Sequence, residues 1–220
     1  LIAGCAQSGE APAGETPSDG DSPAGEAPAE NFDIGIIQYV DHVALDASRD
    51  GFIDALADNG YVDGENITID LQNAQADQSN LSTISDRFIS NNMDLILAIA
   101  TPAAQAIAGK TTEIPILGTA ITDYESARLV DTASAPGGNV TGTTDMNPIK
   151  EQIELLVKLA PEAKTVGVLY TSSEDNSILQ AAIAREAIEA MGLEYVEVTV
   201  TNSNDVQQAT QSIVEQCDAI

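Results

Sequence analysis

From Phe32 onward, short apolar runs alternate with segments of helical period, and that alternation constrains the fold more than any single residue does. Asp33–Gln38, Asp94–Ala98 and Thr165–Tyr170 are runs of Ile, Leu, Val and Gly too short for helices, so they read as buried strands. Asn66–Leu71 alternates and is rich in β-branched residues. Ile114–Gly118, Val140–Thr144 and Glu194–Thr199 complete the set of strands. Between them, Val43–Asn59 carries Leu45, Phe52 and Leu56 at helical spacing, and Ser79–Asn91 carries Leu81, Ile84 and Phe88 on one face. Pro102–Gly109, Ile149–Leu159, Glu174–Met191 and Asp205–Gln216 are further helices, the first of them with Pro in its first turn, where the missing N–H costs nothing. Strands separated by helices of this length form parallel sheets covered on both faces. Five strands precede residue 147 and at least two follow it, with Asp218–Ile220 opening another. The expectation is an α/β chain of two doubly wound parallel-sheet lobes joined by a hinge, the second incomplete and cut off at its C-terminal end.

The first 31 residues obey different rules. Residues 6–31 are Ala, Gly, Ser, Pro and acids apart from Gln7, Thr16 and Asn31, without Lys or Arg. Such a segment cannot bury enough apolar surface to offset its ordering entropy, so it is expected to be a disordered acidic tether. Before it stands Leu1-Ile2-Ala3-Gly4-Cys5. An aliphatic residue and two small ones ahead of a Cys resemble the bacterial lipobox, which implies export, lipidation of Cys5 and removal of the preceding peptide. Acyl chains would then hold the protein at the membrane. The longest strongly apolar run, Leu95–Ala100, is far too short to span a bilayer. The expected organisation is a signal-peptide remnant and lipobox at 1–5, the tether at 6–31, an N-terminal lobe at 32–147 and a C-terminal lobe at 148–220.

Charge narrows the partners. The sequence holds 35 acids against 8 Lys and Arg, a net charge of −27. That excess repels nucleic acid and anionic lipid. It fits a saline or alkaline exterior, and equally a surface that is merely well solvated. The two cysteines, Cys5 and Cys217, sit in unlike contexts and do not read as a disulfide. Neither GxSxG, GxGxxG nor a P-loop occurs, so no enzyme or cofactor chemistry is called. The sole histidine, His42, lacks the neighbours of a usual zinc site. It is either a ligand contact or a solvated loop residue.

In open α/β sheets ligands lie beyond the C-terminal ends of the strands. Residues at those positions are Gln38, Tyr39, His42 and Asp46 after the first strand, and Thr101, Ala103 and Gln105 after the third. Thr122, Asp123 and Asp145 follow the next two, and Ser172, Glu174 and Asn176 follow the first strand of the second set. Helices opening at these points suit a carboxylate, with the Thr101 hydroxyl and following N–H groups as its donors. Asp123 and Asp145 suit an ammonium, or else cap a helix or turn.

Six segments at these loops carry a family resemblance: Ile36–Asp46, Gly51-Phe52, Gly60-Tyr61, Ala98–Gln105, Pro136–Gly142 and Tyr170–Ser177. In order and spacing they resemble the type I periplasmic-binding-protein-like ABC substrate-binding lipoproteins of the tryptophan/tyrosine-associated group. Val43 stands where that family usually carries Pro, and Asp41 where it carries Glu. The resemblance implies an extracytoplasmic, lipid-anchored solute-binding component of an ABC importer. It would clamp a small molecule, an aromatic or branched amino acid, between two lobes and present it to a membrane permease. A sensing module for a membrane receptor and an exported α/β enzyme are the other readings of such a chain.

Overall fold

The computed structural model describes residues 31–220. Cys5 and all but Asn31 of the 6–31 segment lie outside the described residues.

The first sheet has five parallel strands in the order β2-β1-β3-β4-β5. They are β1 (Phe32–Gln38), β2 (Ile67–Asn73), β3 (Leu95–Ile99), β4 (Ile116–Ile121) and β5 (Val140–Thr144). The central pair, β1 and β3, is in register from Ile34 against Leu95 to Gln38 against Ile99. Three helices connect the first four strands: α1 (Val43–Asp58), α2 (Gln78–Ser90) and α3 (Thr101–Ala108). Alternation within the strands sorts the core into two layers. On one face Ile34, Ile36, Ile67, Leu97 and Ile99 meet Leu45, Phe52, Ile53 and Leu56 of α1. On the other, Ile37, Ile96, Ala98 and Ile116 pack with Leu81, Ile84 and Phe88 of α2 and Ala103, Ala104 and Ile107 of α3. Gly35 is required there, because a Cβ would stand 2.7 Å from the Phe88 ring.

The expected β4 began at Ile114, whereas the strand begins at Ile116. Pro115 has no N–H for the ladder, and its carbonyl alone takes part, accepting from the Ile96 amide. No helix joins β4 to β5. A loop does, and its Ala127 and Leu129 are buried against the α2–α3 layer.

The second sheet pairs β6 (Thr165–Thr171) with β7 (Glu194–Val200) in parallel. With it go α4 (Ile149–Leu159), α5 (Asp175–Ala190) and α6 (Val206–Val214), the last preceded by a single 3-10 turn at Ser203–Asp205. Ile149, Ile153, Val166, Ala184, Ala187 and Ile188 form its core. The strand expected from Asp218 is seen as one bridge, Ala219 to Val166, on the free edge of β6. Beside it a groove of about 540 Å3 runs between α4, α5 and β6. Among the described residues no helix is long and apolar enough to cross a membrane.

Candidate functional site

The strand order reverses between β1 and β3, and a crevice opens beyond their C-terminal ends. Ala100 ends β3 with φ 84° and ψ 151°, backbone that favours glycine. Thr101 follows as the first residue of α3. It is 2% exposed, and its Oγ1 has no hydrogen-bond partner among the described residues. Strain and an orphaned hydroxyl at adjacent residues mark a site rather than packing. The expected row of free amides behind Thr101 is absent. Pro102 has none, and the amides of Ala103 and Ala104 both donate to the Ala100 carbonyl at 3.1 Å. Ala103 is wholly buried in the α2–α3 layer, so it packs the helix instead of lining the crevice.

The β1–α1 turn is fixed by an internal network. Gln38 is fully buried, and its Nε2 donates to the Val40 carbonyl at 2.9 Å and to Asp46 Oδ1 at 2.8 Å. Arg49 closes the ring, its Nη1 donating to Gln38 Oε1 at 3.2 Å and to Asp46 Oδ1 at 3.1 Å. Gln38 and Asp46 therefore shape the loop that presents Tyr39. His42 caps α1, its Nδ1 accepting from the Ala44 amide at 3.2 Å, and it is exposed.

Two side-chain hydrogen bonds join the first lobe to the second. The Tyr39 hydroxyl donates to Glu174 Oε1 at 3.3 Å, and Gln105 Nε2 donates to Asp175 Oδ2 at 3.0 Å. Burial, reinforced by the Glu174 charge, pushes the Tyr39 hydroxyl up to about 12, so it stays a donor. Gln105 lies one helical turn beyond Thr101, and Asp175 adjoins Asn176, whose buried Oδ1 is also without a partner. The Gln105–Asp175 bond thus joins α3 and α5, and each helix carries an unsatisfied buried oxygen in its first turn. Next to this seam Tyr39, Gln75 and Ala76 from the first lobe and Thr171, Glu174 and Asn202 from the second enclose about 440 Å3.

Other expected residues lie apart. Asp123 Oδ1 accepts from the Ser126 amide at 2.7 Å, capping a turn, and borders a separate pocket of about 180 Å3 with Tyr124 and Pro136. Asp145 is exposed; its charge adds to the effect of burial in raising the Tyr124 hydroxyl to about 12. Thr122 is buried, its carbonyl accepting from Thr144 Oγ1 at 2.7 Å. Ser172 is exposed and extends the β6–β7 ladder through its amide, 3.0 Å from the Val200 carbonyl.

Residues 33–220 match the family described as ABC transporter substrate binding protein. The chain belongs to that family. Its fold is of the type I periplasmic-binding-protein-like class. A tyrosine-binding protein of Clostridioides difficile (strain R20291) is 41% identical over all of this chain and 62% of its own length. The crystal structure of an ABC domain in complex with L-Trp from Streptococcus pneumonia is 41% identical, with a TM-score of 0.83 over 87% of this chain and 64% of that one. The ligand-free, open structure of a substrate binding protein with adhesive properties from Clostridium difficile is 48% identical, yet its TM-score is 0.61 over 85% and 63% of the two chains. The chain therefore spans less than two thirds of the length of these family members. The family and these relatives are named for binding, not for catalysis.

Within the family fold, sequence reading missed Gln75 and Ala76 after β2 and Asn202–Asn204 after β7, all lining the inter-lobe cavity. The rule that found Thr101 applies to them equally, since they too follow strand ends. Gln75 and Ala76 are consecutive left-handed residues, φ 56° and 57°, with no glycine to announce the turn. Arg49 was missed because nothing local links a helix cation to a buried Gln.

Proposed function

We propose that this chain belongs to the solute-capturing component of an ABC importer and clamps an aromatic amino acid between its two lobes, with residues 32–147 forming the first and 148–220 the second. One observation carries the reading. Two buried oxygens without partners, Thr101 Oγ1 and Asn176 Oδ1, stand on opposite lobes, on the two helices that the Gln105–Asp175 bond joins. Buried polar groups are almost always hydrogen-bonded, so a polar ligand is the natural partner of both. The substrate class is supported by the names of the relatives, one tyrosine-binding and one bound to L-Trp. The better match to the L-Trp complex than to the open structure supports a closed arrangement of the lobes and closure by hinge motion. Thr101, Asn176, Tyr39 and Glu174 are the contacts we assign to the ligand; Gln105 holds the lobes together. The chain acts by binding, without catalysis. It works outside the cytoplasm, held there by lipid on Cys5, and hands its ligand to a membrane permease.

Calorimetric titration of the full-length protein with L-tyrosine, L-tryptophan and L-leucine tests this. Saturable binding of an aromatic amino acid, weakened by Thr101→Val, is expected. Absence of binding to all three overturns the substrate class. Undiminished binding in Thr101→Val removes the seam as the site. Intact mass of the exported protein checks the anchor, which requires diacylglycerol on Cys5.

A further inference from the structure

We infer that Glu174 receives the ligand's ammonium group and that the cavity around it is the ammonium end of the cleft, an inference that rests on the amino-acid reading above. Glu174 is the one charged residue among those lining the cavity of about 440 Å3 between the lobes. Around it the wall is uncharged, with Thr171, Asn202, Ser203, Asn204 and Gln75 supplying hydroxyls and amides beside Val40, Ala76, Val200 and Val206. All ion pairs among the described residues engage Arg49, Arg87, Lys110 or Arg185, and none reaches Glu174. Its carboxylate is half-buried, and its partner is the Tyr39 hydroxyl at 3.3 Å. That is long beside the roughly 2.5–2.7 Å usual for a hydroxyl on a carboxylate. A part-buried carboxylate without a cation partner can accept a charge-assisted hydrogen bond from an ammonium entering the cavity.

The groups left without partners sort the ends of the ligand. An ammonium has three donors and no acceptor. Glu174 lines the cavity and, as a carboxylate, offers acceptors only. A carboxylate accepts only, and across the seam the 2%-exposed Thr101 offers a hydroxyl donor. An α-amino acid bridging the lobes places its ammonium toward the second and its carboxylate toward the first. Asp123 is used by the Ser126 amide and borders a different pocket, and Asp145 is exposed, so neither competes for this role.

The experiment titrates full-length wild type and Glu174→Gln with L-tyrosine and with its desamino counterpart, 3-(4-hydroxyphenyl)propionate, at one pH and ionic strength. Wild type is expected to prefer tyrosine roughly ten- to a hundredfold, the scale of one charge-assisted hydrogen bond. Glu174→Gln should shrink that preference to within about threefold while binding the desamino acid as wild type does. Glu174 caps α5 without a side-chain bond to it, so an unchanged melting curve is expected and checks the fold. Retention of the preference by the variant, or equal loss of both ligands, overturns the inference. If wild type binds no aromatic amino acid, the same pairs are run with leucine and alanine and their desamino acids. A preference there that vanishes in Glu174→Gln removes the aromatic reading alone. No preference for any amino acid removes the inference together with the amino-acid reading.

Discussion

The two sheets of this chain are made by the same alternation of elements but are buried to different depths. In the first, β1 and β3 lie between neighbours, and Ile36, Ile37, Ile96 and Ile99 are wholly excluded from solvent. In the second, β7 reads Glu-Tyr-Val-Glu-Val-Thr-Val and only Val200 is buried. Its companion helices leave Leu155, Leu159 and Val214 exposed. A continuous apolar run announces a strand with neighbours on both edges and layers on both faces. An alternating one announces a strand wetted on one side, whatever its partners. Within residues 31–220, the first lobe rests on tight packing, while the described part of the second rests on fewer contacts beside an open groove.

The strongest way to break that contrast is to remove the same atoms from each side. Ile37→Ala and Ile153→Ala delete equal side chains, and such changes cost about 2–5 kcal/mol, depending on how far the site can collapse or admit water. Ile37, fully buried, should fall at the upper end. Ile153, 9% exposed and lining the groove, should fall at the lower. Urea unfolding of the 220-residue chain measures both, and equal losses would end the distinction.

Overfilling sharpens it. Gly35→Ala drives a Cβ into the Phe88 ring, which is held in the core, for about 2–3 kcal/mol. Gly167→Ala meets Cys217 Sγ at 2.7 Å and Ile213 Cδ1 at 2.9 Å. Cys217 is half-buried, but Ile213 is fully buried and its Cγ1 also stands 2.9 Å away, so about 1–3 kcal/mol is expected by thermal or urea melts.

A smaller effect separates the charges. Arg49→Ala breaks contacts to Asp46, Asp50 and buried Gln38, and should lower the melting midpoint measurably. Arg185→Ala loses an exposed i,i+4 pair with Glu189 and should leave the midpoint unchanged within error. The smallest effect is expected from Asp123→Asn and Asp145→Asn. Asn keeps the acceptor for the Ser126 amide, and Asp145 faces solvent, so titration with amino acid should match wild type.

The elements were legible in the sequence because strand and helix periods are local. The run Ile34–Ile37 and the stripe Leu81, Ile84, Phe88 needed no tertiary knowledge, and element ends shifted by a residue or two, at Pro115 because a missing N–H delays β4, except that β4 runs three residues past Gly118. The position of Thr101 was legible by topology, as the residue that opens the helix after a central strand. The role of Asp123 was not. An Asp that caps a turn and an Asp that awaits an ammonium share one sequence signature, and only the 2.7 Å contact with the Ser126 amide separates them. Gln105 was placed at the right end of the sheet, but its bond to Asp175 spans 70 positions, a pairing that no local pattern encodes.

Both bonds between the lobes end on consecutive residues, Glu174 and Asp175, at the tip of one helix. They are therefore not independent fasteners. A small tilt of α5 bears on both together, so the fit of the two lobes depends on where that one helix tip stands.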